Sequence, residues 1–216
     1  MRAKLLKIYN QLYNHFGPQH WWPADSPFEV MVGAILTQST NWGNVEKAIG
    51  NLKKAKVLNP RKIIENRKSK IENWIKPSGY YRQKAKKLKA FVGFFLKNYD
   101  GSIKKMRAAQ LSKLREELLA VHGIGPETAD SILLYALDKP SFVVDAYTRR
   151  IGQRLGLFKF DDYYQIKDFF EANLPKRVKL YNEYHALLVA LGKYYCRPRP
   201  KCEMCPLKHL CQTQKN

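Results

Sequence analysis

Upstream of residue 196 the chain contains no cysteine. A disulfide framework would scatter its half-cystines through the fold, so that organisation is excluded. No uninterrupted apolar run approaches the ~20 residues that a bilayer-spanning helix needs, and the N-terminal stretch lacks the apolar segment of a secretory signal. No membrane partner is expected, and the location implied is cytoplasmic. Internal repeats, low-complexity runs and alternating strand patterns are also missing, which leaves an all-α fold. Acidic residues are scarce: 18 Asp+Glu face 39 Lys+Arg, so 39 − 18 gives a net charge of +21 and a pI near 9.8. Such a surplus either solubilises the surface or recruits a polyanion, and with the membrane set aside nucleic acid is the expected partner. At 216 residues the chain can form one large domain or two small ones sharing a core.

What is present centres on Leu118–Asp145. Gly123 and Gly125 flank Ile124 between two helical patterns, and both can take positive φ and let the backbone approach another molecule closely. Pro126 suits the first turn of the second helix, whose free N–H groups would face an anion. His122, Gly123, Gly125 and Thr128 are therefore candidate contacts in a helix–hairpin–helix over about 115–137. Asp145 ends the apolar run Phe142-Val143-Val144, where a carboxylate can cap a new helix, serve chemistry, or do both.

The four cysteines form the pattern C-x5-C-x2-C-x5-C at Cys196, Cys202, Cys205 and Cys211. Four thiolates on one short loop suit a tetrahedral metal or an iron–sulfur cluster, and spacing alone leaves both open.

Elsewhere, Leu5, Ile8, Leu12 and Phe16 give a helical face over 3–16, ended by Gly17-Pro18. Trp21-Trp22-Pro23 is either core filler at a domain junction or a stacking platform for a base. Ser26-Pro27-Phe28-Glu29 has capping-box spacing and opens an apolar, buried helix that ends at Gln38. Asn41 can cap the next helix, with Trp42 in its first turn. The lysine-rich 53–76 reads as solvated short helices, and Pro77-Ser78-Gly79-Tyr80 as a turn before a helix running to about Asn98. Arg149, Arg150 and Arg154 share one side of a helix, a candidate phosphate face. Helices are expected near 162–173 and 179–195.

The segments VHGIGPETADSILLYA and VVDAYTRRI resemble the signature of the endonuclease III superfamily of helix–hairpin–helix DNA glycosylases. That resemblance implies two domains with a DNA cleft between them: a six-helix barrel over 20–138, and a 4Fe-4S cluster domain of 1–19 plus 139–216. It implies Asp145 as the catalytic carboxylate, Gln38 and Tyr80 as residues that fill the gap left by an extruded nucleotide, and a 4Fe-4S cluster on the four cysteines, although the first gap here is five residues against the usual six. Relatives that also nick the strand carry a lysine where Glu127 stands, so a monofunctional enzyme is implied. WWP, FEVMVGAILTQST and PSGYYRQKAKKL bring the chain nearest to the 3-methyladenine DNA glycosylase III group. Membership there implies removal of an alkylated purine by base excision, with Trp21, Trp22, Pro23, Trp42 and Glu127 around the base, Arg149 on the DNA, and a nucleoid-associated monomer acting on damaged double-stranded DNA. A mismatch or oxidised-base glycosylase with lyase activity, or a DNA-binding protein without catalysis, are the competing expectations.

Overall fold

The computed structural model describes residues 1–214; residues 215 and 216, the end of the expected cluster domain, lie outside the described residues. Among the described residues there is no strand, and no helix is long and apolar enough to cross a membrane. The chain divides into two compact units, one formed by Trp22–Lys139 and the other by Met1–Trp21 together with the chain from Pro140 onward.

The Trp22–Lys139 unit is built on α2 (Pro27–Leu36), whose residues from Phe28 to Leu36 are all buried. Ser26 caps it, its Oγ accepting from Glu29 N at 3.2 Å. The return arm of the expected capping box goes one residue further back. Glu29 Oε2 accepts from Asp25 N at 3.1 Å, and Lys53 holds the same carboxylate at 2.6 Å. The helix stops at Leu36, and the following turn carries Ser39 at a left-handed φ of 52°. Asn41 then caps α3 (Trp42–Lys54), with Oδ1 accepting from Asn44 N. Two short helices, α4 (Pro60–Glu65) and α5 (Lys68–Ile75), run into a 3-10 turn at Lys76–Ser78 and the long α6 (Tyr81–Tyr99).

Then come α7 (Ile103–Ala108), which the sequence reading did not anticipate, α8 (Leu111–Leu119) and α9 (Pro126–Ser131). Past Ser131 the hairpin's second helix widens to a π turn over Ile132–Ala136. Ile132, Leu133 and Ala136 are buried there as expected. A buried fork joins the hairpin's two helices: Arg115 Nε and a terminal amine donate to the two oxygens of Asp130 at 2.8 and 3.0 Å, and Asp130 is fully buried.

In the other unit, α1 (Arg2–Phe16) buries Leu5, Ile8 and Leu12, while Tyr13 stays partly exposed. Here α10 (Ala146–Arg154) and α11 (Tyr163–Asn173) precede α12 (Val178–Tyr194), the helix that α1 and α10 pack against. The run Phe142–Val144 before α10 is buried. Phe142 stacks on Phe170 with ring centroids 4.3 Å apart, and its N–H donates to Glu171 at 2.8 Å. Lys167 ties the same point down through Ser141 Oγ and Glu171.

Candidate functional site

The hairpin turn uses its two glycines differently from the expectation. Gly123 is left-handed at φ 82°, but Gly125 is extended at φ −91° and ψ 177° and serves as the N-cap of α9 with no side-chain cap. A Cβ on Gly123 would lie 2.2 Å from Lys87 Cγ, whereas one on Gly125 would meet nothing within 4 Å. Gly123 is thus demanded by the fold, and Gly125 is not. His122 and Glu127 are exposed beside the turn, and Thr128 is buried.

The end of α2 is brought to this turn. Gln38 Nε2 donates to Gly123 O at 3.1 Å and to Thr128 Oγ1 at 3.0 Å, and Lys87 Nζ donates to Gln38 Oε1 at 2.6 Å. One turn earlier on α6, Lys84 is buried and donates to Leu36 O at 2.8 Å and Ser78 O at 2.6 Å. Burial first, and then the nearby Lys87 charge, push the Lys84 amine down to about 8. This lysine fastens the end of α2 to the turn that presents Tyr80. Tyr80 is left-handed at φ 44° and its side chain is 72% exposed, a strained, solvent-facing aromatic of the kind tolerated where a site needs it.

Of the aromatic set, Trp22 and Trp42 meet edge to face at 5.2 Å, and Tyr135 of the π turn joins them at 5.4 Å from Trp22. The ring of Trp22 also sits against Gly33 of α2, where a Cβ would come within 3.2 Å. Pro23 is exposed. Trp21 belongs to the other unit, where Lys193 Nζ lies 5.8 Å from its ring and the two line a pocket with Gln19 and Tyr194.

Asp145 is the N-cap of α10, with Oδ1 accepting from Thr148 N at 2.7 Å. Its Oδ2 lies 3.6 Å from His185 Nε2, and the two side chains are 13% and 7% exposed. Burial acts to raise the carboxyl's pKa, but His185 and the Thr148 donors outweigh it, so the net shift is downward and Asp145 is a carboxylate at neutral pH. His185 was not singled out from the sequence. The available signal was its place on the buried face of α12, beside Tyr181, Tyr184 and Leu188.

Two of the three arginines of the expected phosphate face on α10 also reach the cysteine loop. Arg150 Nε donates to Cys196 O at 2.9 Å, and Arg154 donates to Arg197 O at 2.7 Å and Pro198 O at 3.1 Å. Both therefore staple the cysteine loop, and Arg149 is paired with Asp161 at 3.3 Å.

Cys196, Cys202, Cys205 and Cys211 line one small cavity, alongside Arg154, Tyr195 and the basic residues Lys201 and Lys208. Burial and the three neighbouring thiols together raise the Cys205 thiol. Among the described residues, no three His, Cys, Asp or Glu are grouped to hold one metal ion. Four thiols around one cavity are a donor set of the kind that a tetrahedral ion or an iron–sulfur cluster takes.

This all-helical architecture is that of the DNA glycosylases. An endonuclease III–DNA covalent intermediate superposes with a TM-score of 0.86 at 24% identity, over 100% of this chain and 97% of that one. The H. pylori 3-methyladenine DNA glycosylase bound to 1,N6-ethenoadenine superposes with a TM-score of 0.78 at 32% identity, over 88% of this chain and 97% of that one. A candidate DNA repair glycosylase of Methanocaldococcus jannaschii is 49% identical over 97% of this chain and 96% of its own length. The model of the HhH-GPD superfamily base excision DNA repair proteins matches residues 32–176, and the chain belongs to that superfamily.

Proposed function

We propose that this chain is a monofunctional DNA glycosylase that turns a damaged base out of the duplex and removes it by hydrolysis, with an alkylated purine such as 3-methyladenine as substrate. The observation that carries the reading is Asp145, a carboxylate kept ionised in a buried setting by Thr148 N and His185. As the N-glycosidic bond lengthens, its electron pair leaves with the base and positive charge builds at C1′. A fixed carboxylate stabilises that charge and orients the water whose oxygen bonds to C1′, the water's proton passing to the carboxylate or to solvent. A cationic N3-alkylated adenine departs neutral, so it needs no acid to help it leave. Glu127 stands where strand-nicking relatives use a lysine, and a carboxylate cannot form an imine.

Gln38, Tyr80 and the hairpin turn with His122, Gly123, Gly125 and Thr128 are assigned to the distorted DNA. The electron-rich Trp22 and Trp42, with Trp21, Pro23 and Glu127, are assigned to the base, where cation–π attraction contributes ~0.5 to 2 kcal/mol for a cationic purine. Relation to the H. pylori enzyme supports the alkylated-purine assignment. The four cysteines are assigned to a 4Fe-4S cluster, whose contribution when bound is to cross-link the C-terminal loop. Arg150 and Arg154 hold that loop to α10, and hence to the helix that Asp145 caps.

The test is base release from methylated duplex DNA, with 3-methyladenine and 7-methylguanine resolved and strand nicks scored before and after alkali. Release of 3-methyladenine with nicks only after alkali is expected. Nicking without alkali, together with a borohydride-trapped adduct, would overturn the monofunctional assignment, and binding without any release would overturn the substrate.

A further inference from the structure

The hairpin turn of the Trp22–Lys139 unit carries two cations that the proposed chemistry does not use. Lys84 and Lys87 lie one turn apart on α6, the first buried and the second half-buried. Among the described residues their ammonium groups are met only by neutral oxygens: Leu36 O and Ser78 O for Lys84, and Gln38 Oε1 for Lys87. The Lys87 charge acts against the Lys84 ammonium, and two neighbouring cations held by neutral oxygens favour a visiting anion.

The second observation is steric. The methylenes of Lys87 lie across Gly123, so that a Cβ there would be 2.2, 2.6 and 2.8 Å from Lys87 Cγ, Cδ and Cε. The stem is laid along the left-handed turn, and the charge is delivered to its edge. The third is the grip on Gln38. That side chain has its amide nitrogen on Gly123 O and Thr128 Oγ1 and its oxygen on Lys87. Within this unit Gln38 is therefore held on the hairpin by the same lysine that an anion at the hairpin would attract.

We propose that Lys87 is a DNA phosphate-binding residue of the hairpin and that a backbone phosphate displaces Gln38 from it, so that docking of the strand on the turn releases Gln38. The inference rests on the DNA-binding role assigned to the hairpin under the proposed function. A charged acceptor exchanges for a neutral one at Lys87 Nζ, while Lys84 stays on its two carbonyls and keeps α6 in register with the turn. Gln38, once freed of its oxygen's partner, keeps two weaker bonds to give up.

The experiment is equilibrium binding to a duplex containing a tetrahydrofuran abasic analogue, which has no base to release, across a salt series. Wild type, K87M, K87R, Q38A and the K87M/Q38A double variant are compared, with thermal melting of each as the folding control. K87M is expected to weaken binding about tenfold at low salt and to reduce the slope of log K against log salt by about 1. K87R is expected to keep the slope, and serves alone should K87M not fold. In wild type Lys87 must first give up Gln38, so K87M is expected to cost more in the Q38A background than in the native one. An unchanged slope in K87M, a lost slope in K87R, or strictly additive single effects would each overturn the proposal. Because no chemistry enters the assay, a failure here leaves base release untouched, and absent base release leaves this result standing.

Discussion

The helices that begin at Pro126 and at Ala146 start in opposite ways. At the first, Gly125 provides no side-chain cap and its Cβ direction opens on empty space. At the second, Asp145 fills the cap with its own carboxylate. A helix start carries partial positive charge either way. Leaving it without a side chain makes it a place where an outside anion can dock, and occupying it makes it a device for holding one inside anion still. The same backbone feature thus serves the proposed grip on DNA in one unit and the proposed chemistry in the other.

The sharpest way to break this comparison is to separate the cap from the charge. Asparagine caps as well as aspartate, so Asp145→Asn is expected to melt near wild type while base release falls by about 10²–10³ or more, the scale of a lost electrostatic group. Asp145→Ala should lose the activity and also about 1 kcal/mol of stability by urea unfolding. Equal stability losses in both would show the negative charge itself to be structural.

Stability at the hairpin should depend instead on the buried fork. Asp130→Ala leaves Arg115 without its buried partner and is expected to cost about 3 kcal/mol in urea titration, far more than the loss of a cap. A cost below that of Asp145→Ala would mean the two helices are held by packing alone.

The smallest expected effect is on pH. Asp145 is depressed by its donors, so it stays ionised at neutral pH and its contribution is lost only as pH falls through the depressed value. His185→Ala removes the largest lowering influence and leaves burial, which raises the pKa, opposed only by the Thr148 donors. The acid limb of base release should therefore move to higher pH. A limb that does not move, in a variant that still folds, would remove His185 from the set that positions the charge.

Local signals in the sequence carried much of this. Ser26, Asn41 and Asp145 cap helices where a short polar residue precedes an apolar run, and the four cysteines share one cavity as their crowding implies. What stayed hidden depends on tertiary contact. The hold of Arg150 and Arg154 on the cysteine loop is one case, because spacing reports only the helix they stand on, and the carbonyls they bind are more than 40 residues away. The π turn that sets Tyr135 beside Trp22 has no composition of its own. Lys84 and His185 did leave a trace, an ionisable group on an otherwise apolar face, at the spacing of Leu88 and Phe91 in one case and of Tyr181 and Leu188 in the other. Such a residue is buried only with partners, and those partners mark where two elements meet.

The unequal glycines of the hairpin divide the demands placed on this gene. Alanine at 123 would combine a left-handed backbone with a collision against Lys87, and alanine at 125 would enter ordinary extended backbone and open space. A library screened only for folded protein should therefore discard the first and keep the second. Under the proposed function, a library screened for base release from damaged DNA should discard both, and the difference between the two screens at residue 125 would record where the nucleic acid lies.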